Sequence, residues 1–446
     1  MADLEVGVLA IGAGPANLAL AAAIEESGSA ELAERTLLLE QAPDIKWQRD
    51  LLMPWARSQV SFLKDLVTLR DPRSRFSFLN FLHQHDRLDQ FINLGTFHPH
   101  RWEFSDYLQW VARSLEKVRI RYDAKATATE PRYDADGKLV GWQVTLADGD
   151  TIRCRDLVVG AGRDMHIPAV FADLPAEKVI HSARFRSRIS TVDKDAPLRT
   201  VVIGGAQSAA EMFMALYENL PNSTVTMLVR SIGLQNYQTS KFVNELFYPS
   251  FVDEFFDAPA DTRAQLLDEM RFTNYAALAP PFLDELYMLL YREKMIGTGR
   301  AEVRAMTEVL AAREEDGEVV LDLRDRRTGK VTEQRCDLVL LGTGYDSRMP
   351  SLVRQLTEKA GLAEVTVSRD YRVELGAGTD AALYLQGVNE ATHGIADSLI
   401  SVLAHRARDI TGDLLARHGL AVATPAAPAV APAVAPAVAP AVAGGR

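Results

Sequence analysis

The chain has 446 residues, 47% of them hydrophobic and 24% charged, which is the balance of an ordinary globular protein and excludes a fibrous or wholly disordered one. Lys and Arg number 49 against 60 Asp and Glu, and the net charge of −11 argues against a binder of DNA or RNA backbones while leaving room for a local basic pocket. The two cysteines, Cys154 and Cys336, stand far apart in no metal-type spacing, so neither a disulfide framework nor a metal site is expected, and a reducing cytoplasm fits.

The apolar run Leu4 to Ile24 imitates a signal peptide or a membrane span. Asp3 and Glu5 stand where a signal needs basic residues, and Gly12, Gly14, Pro15 and Asn17 interrupt the run, so no membrane association is expected. The pattern reads instead as a buried strand (6–11), a tight turn (12–15), a helix (16–26) and a second strand (36–40). The same order recurs later: strand 199–203, turn 204–207, helix 208–219, strand 224–230. Two βαβ starts predict an α/β fold with two Rossmann-like dinucleotide-binding domains and a smaller substrate-binding elaboration.

The run Arg153 to Gly162 echoes Arg335 to Gly344, as if the chain leaves the first domain and later re-enters it. The expected organisation is a first domain over 1–175, an inserted second domain over 176–339, and a return to the first over 340–420. A polar, aromatic stretch at about 46–104 reads as an elaboration over the first domain. From Thr424 the chain collapses into Ala-Pro-Ala-Val repeats, so 421–446 is expected to be a disordered, polyproline-like tail.

The first turn, Gly12-Ala13-Gly14-Pro15-Ala16-Asn17, lets the backbone approach a pyrophosphate at a helix N-terminus, and Asn17, in place of the usual third glycine, is expected to bind the flavin cofactor with Gly12, Gly14 and Pro15. Glu40, at the end of the second strand, can accept the hydroxyl hydrogens of an adenosine ribose. The second turn carries Gly204, Gln207 and Ser208, with Ala206 in place of a second glycine. Its second strand ends in Arg230-Ser231, a cation and a hydroxyl suited to a 2′-phosphate, which favours NADPH over NADH. One site with an acid and one with a cation imply FAD in the first and NADPH in the second. No Cys-x-x-Cys accompanies them, so electrons pass from flavin to a small substrate or to oxygen.

Over about residues 5 to 415 the chain resembles the flavin-dependent N-hydroxylating monooxygenases, in particular the ornithine enzymes of hydroxamate siderophore synthesis. The resemblance is carried by the glycine turn 12–19, Gln59 to Leu66 with Leu69-Arg70-Asp71-Pro72, Gln207 to Glu211, Phe242 to Glu245, Thr273-Asn274-Tyr275, Thr343-Gly344-Tyr345 and His393 to Asp397. It implies N5-hydroxylation of L-ornithine with FAD, NADPH and O2 through a C4a-hydroperoxyflavin, and a homo-oligomer, a tetramer in many relatives. It implies that Lys64, Asn244, Asn274 and Ser401 hold the substrate, and that Gln59 and Asn274 lie at the reacting centre. It places Gln41, Trp47, Gln59 and Leu399 about the flavin, and Asn274 and Arg230 about NADPH.

Bland readings compete: Lys64 as a surface ion pair with Asp65 or Asp71, Asn244 and Asn274 as turn or cap residues, Ser401 as a back-bonded helical serine. The pairs His83/His85 and His98/His100 lack a carboxylate or cysteine pattern and read as polar loop residues, with no metal expected. A lysine or diamine N-hydroxylase differs by terms of only about 1 to 3 kcal/mol per methylene, and a diamine would leave Lys64 without a carboxylate. A non-catalytic flavin and NADPH sensor would need no amino-acid pocket.

Overall fold

The computed structural model describes residues 3–420 apart from Thr239, Ala276 and Ala377, so the expected tail at 421–446 lies outside the described residues. The chain begins with β1 (Asp3–Ile11), α1 (Pro15–Glu25) and β2 (Thr36–Leu39). A long helix, α2 (Arg101–Ser114), and a nine-residue strand, β3 (Thr151–Val159), follow. In the first sheet β1 lies between β2 and β3, parallel to both. The far edge of β3 is shared: Thr151–Cys154 pairs with an antiparallel hairpin strand, and Asp156–Val159 pairs in parallel with Ala382–Leu385.

Side chains alternate across a strand, so one run of Val, Leu and Ile serves two cores. Val8 and Ala10 point into a cluster with α1, α2 and the C-terminal helix, whereas Leu9 and Ile11 pack with Trp142, Val353 and Leu383 on the other face.

The second sheet is built on β4 (Arg199–Ile203), α3 (Gln207–Asn219) and β5 (Thr224–Val229). It is entirely parallel, in the order Ala301–Ala305, β5, β4, β6 (Leu338–Leu341), Val179–His181. A helix, α4 (Pro280–Ile296), covers one face, and a three-stranded antiparallel sheet over residues 307–336 packs on the other. The chain then returns to the first sheet through Ala382–Leu385 and ends in α5 (Leu403–Arg417), which packs along α1. Among the described residues no helix is long and apolar enough to cross a membrane.

The segment after β2 differs from its expected placement. Met53 and Ala56 are buried in the core of the second sheet, and the Trp55 ring stacks on Phe282 of α4 at 5.4 Å. The elaboration therefore ties both units together rather than lying over the first alone. Burying these apolar groups outweighs leaving them over a single surface.

Candidate active site

Both glycine turns end as uncapped helix N-termini. Gly12 has φ 91°, and a Cβ there would meet the Gly160 carbonyl oxygen at 2.8 Å. Around Gly14 the space is open, and the N-terminus of α1 has Pro15 in its first turn and no side-chain cap. Glu40 stands one residue beyond β2, where its carboxylate accepts from the backbone N–H of Ala13 at 3.1 Å and of Ala42 at 3.0 Å. This holds an acid beside orphaned amide donors, the arrangement an adenine dinucleotide needs. The second turn repeats it: Gly204 has φ 139° and α3 also lacks a side-chain cap. Arg230 is exposed immediately after β5. Both turns thus fit a dinucleotide.

Asn17 does not face a ligand. It is fully buried, its amide donates to the carbonyls of Ile11 (3.0 Å) and Gly12 (2.7 Å), and its oxygen accepts from Gln386 Nε2 at 2.7 Å. Its expected flavin contact is therefore corrected: donor and acceptor are both engaged in shaping the turn. Gln386 accepts from Arg406 Nε (3.1 Å), and Arg406 donates to the Asp397 carboxylate (2.7 Å), which accepts from the Asn389 N–H (2.7 Å). A buried polar chain thus runs from the first turn to the 389–402 segment.

Gln207 also makes structural contacts at its turn. Its side chain donates to Glu211 Oε1 and accepts from the Ala279 N–H, both at 2.9 Å, which leaves backbone N–H groups at that turn. Glu211 in turn receives both terminal nitrogens of Arg101, at 2.6 and 2.7 Å, in a buried pair that joins α2 to α3.

Lys64 ends a short 3-10 turn that Ser61 caps, and its ammonium donates to Ser401 Oγ at 3.3 Å. Neither of the bland partners is available. Asp65 is buried and accepts from Val67, Thr68 and Phe78, whereas Asp71 pairs with Arg73. Among the described residues no carboxylate lies within ion-pair distance of Lys64, and burial lowers its pKa. Ser401 is buried in a 3-10 turn just before α5, after the extended Leu399.

The inserted unit reaches the same place. Phe247 packs on Ala396 and Val402, three residues after Asn244, which is itself exposed on a short helix. Asn274 closes another short helix, and the next residue, Tyr275, donates to Glu390 at 2.6 Å. Burial, then the Glu390 carboxylate, pushes the Tyr275 hydroxyl up, and Arg163 pairs with Glu390 at 3.4 Å. Gln59 accepts from the Tyr237 hydroxyl at 3.2 Å. Trp47 is half-buried edge-on to Phe104, and Gln41 is exposed. His393 is buried against Tyr371, and burial lowers its pKa to about 4, so it is neutral at ordinary pH. Among the described residues no three His, Cys, Asp or Glu side chains gather as a metal-ligand set.

The model of the L-lysine 6-monooxygenase/L-ornithine 5-monooxygenase family matches residues 5–347. The chain belongs to that family. It is 38% identical to the L-ornithine N(5)-monooxygenase of Pseudomonas aeruginosa, covering 91% of this chain and 93% of the relative. The L-ornithine N(5)-monooxygenase of Burkholderia cepacia is 37% identical, covering 87% and 89% of the two chains. Among solved structures, the ornithine N-hydroxylase of Kutzneria sp. 744 with reduced FAD, NADP+ and L-ornithine superposes with a TM-score of 0.86 at 32% identity, over 93% of this chain and all of that one. The L-lysine 6-monooxygenase of Pseudomonas syringae superposes at 0.81 with 31% identity, over 92% and 99%.

Arg101, Tyr237, Gln386 and Arg406 support the site although no sequence motif marks them. The signal was present for Glu211 and Arg406, which are charges set within the apolar runs Ala-Ala-Glu-Met-Phe and Ala-His-Arg-Ala. A charge on a helix's buried face requires a partner.

Proposed function

We propose that this protein is an FAD- and NADPH-dependent L-ornithine N5-monooxygenase, making N5-hydroxyornithine for hydroxamate siderophores or related products. The observation that carries the reading is the half-buried Lys64 ammonium, which has a serine hydroxyl and, among the described residues, no carboxylate beside it. A desolvated cation without an anion is costly, and the α-carboxylate of an amino acid relieves that cost. A diamine has no such group. Overall, ornithine, O2, NADPH and a proton become hydroxyornithine, NADP+ and water.

Bound FAD, reduced by NADPH, supplies the oxygen activation that no side chain can. The uncapped turn of α1 and the Glu40 carboxylate hold its diphosphate and ribose, with Trp47, Gln41 and Leu399 around it. The turn of α3, including Gly204, Gln207 and Ser208, holds the second dinucleotide, and Arg230 pairs with its 2′-phosphate. Lys64 and Ser401 bind the substrate carboxylate together, and Asn244 holds the head group. Asn274 orients the terminal nitrogen, which must be unprotonated to react. A free alkylammonium titrates near about 10.4, so the pocket must exclude water to favour the neutral form. An amide at Asn274 can accept or donate there without adding charge, and Gln59, held by Tyr237, flanks the reacting centre.

Two features extend the reading: the cytoplasm as its compartment, since both cysteines are free and buried, and a homo-oligomeric, tetrameric state by resemblance. The direct test is hydroxylamine formation from ornithine, lysine and putrescine with FAD and NADPH present. Ornithine should give product with the highest kcat/KM. Turnover of putrescine equal to that of ornithine would refute the carboxylate anchor.

A further inference from the structure

The two faces of α4 are unlike. Phe282, Leu286 and Leu289 are buried against the second sheet, and the buried Glu293 carboxylate accepts from Tyr217. The opposite face carries Tyr287, Met288, Tyr291 and Met295, which are 69%, 63%, 53% and 68% exposed. Large apolar side chains three and four positions apart form one continuous outward stripe, which favours burial against a partner.

The charges around the stripe say which partner. With about 100° between successive residues, Asp284, Met288, Tyr291 and Met295 run down its middle, Glu285 and Arg292 line one flank, and Tyr287 and Lys294 line the other. All eight are exposed. A two-fold axis across a helix runs its copy antiparallel and brings each flank against the same flank of the copy. With Met288 level with the partner's Tyr291, Glu285 and the partner's Arg292 share a flank two residues apart in height, about 3 Å, as do Tyr287 and the partner's Lys294, within reach of these long side chains. Each match occurs twice by symmetry: an ion pair on one flank and a cation–π contact on the other. An acidic start and a basic end on one helix suit its own reversed copy.

We propose that α4 is the pairing helix of a two-fold symmetric assembly of this chain, which gives the homo-oligomer of the preceding reading an interface. The test is sedimentation velocity of the full-length, FAD-saturated protein across micromolar concentrations. Tyr291→Glu should weaken association about tenfold or more while NADPH oxidation persists. Glu285→Arg and Arg292→Glu should each weaken it several-fold, and the double exchange, which restores opposite charges, should recover it. A wild-type chain that stays monomeric overturns both this interface and the homo-oligomer. Assembly insensitive to all three single changes, or a double exchange weaker than either single, overturns this interface alone. None of these outcomes bears on hydroxylation, which is assayed separately.

Discussion

The Lys64 ammonium donates to Ser401 Oγ at 3.3 Å across 337 positions of sequence, joining the elaboration of the first unit to the turn that opens α5. Lys64→Ala should raise the KM for ornithine about 10- to 100-fold, as expected for loss of a charge-assisted hydrogen bond. NADPH oxidation should continue and leak to peroxide. Steady-state kinetics with separate assays for NADPH loss and hydroxylamine decide this, and an unchanged KM would remove Lys64 from the pocket.

The same group predicts a pH effect. Burial lowers the Lys64 pKa, so the ammonium is lost at a lower pH than that of a free lysine. Ornithine binding should therefore weaken as pH rises through that lowered value. In Lys64→Arg, whose guanidinium stays charged, the alkaline rise in KM should disappear. A wild-type KM that stays flat into the alkaline range would contradict this.

Arg230 is exposed, so its replacement should leave the fold intact. Arg230→Ala should cut the preference for NADPH over NADH about tenfold or more, read as the ratio of the two kcat/KM values. An unaltered ratio would mean that another cation reads the phosphate.

The Arg101–Glu211 pair is buried and bidentate, and it holds Gln207 at the second turn. Removing one charge should destabilise the protein by about 3–5 kcal/mol, and removing both with Arg101→Met and Glu211→Met should cost less than the sum. Denaturant unfolding measures this. The KM for NADPH should rise in any single variant that folds.

His393 supplies a stability prediction with a definite sign. Its pKa is lowered to about 4 when folded, against an ordinary value near 6.5, so the unfolded chain binds more protons between those pH values. Its contribution is complete above about 6.5 and is lost as pH falls toward 4. His393→Gln should flatten the fall in Tm over that window.

The two βαβ starts were legible because a parallel strand buried on both faces is a continuous apolar run, and a glycine turn follows it at Gly12 and again at Gly204. The elaboration was not: Met53 and Ala56 are ordinary apolar residues, and nothing local to 46–104 says which core they enter. Asn17 was visible as a departure from the glycine pattern, but its partner Gln386 lies 369 positions away. Gln207 was visible at the second turn, but its contacts with Glu211 and with the Ala279 N–H, 72 positions away, were not. Lys64 was placed by resemblance, and only the structure shows that its two acidic neighbours in sequence, Asp65 and Asp71, are engaged elsewhere.

The proposed reaction moves one oxygen atom from O2 to the side-chain nitrogen of an ornithine held by its carboxylate. Mass spectrometry of the product formed under heavy-isotope oxygen, with FAD, NADPH and ornithine, tests it most directly. A single labelled oxygen on N5 of hydroxyornithine is expected. Unlabelled product, or NADPH consumption that yields peroxide and no hydroxyornithine at all, would contradict it.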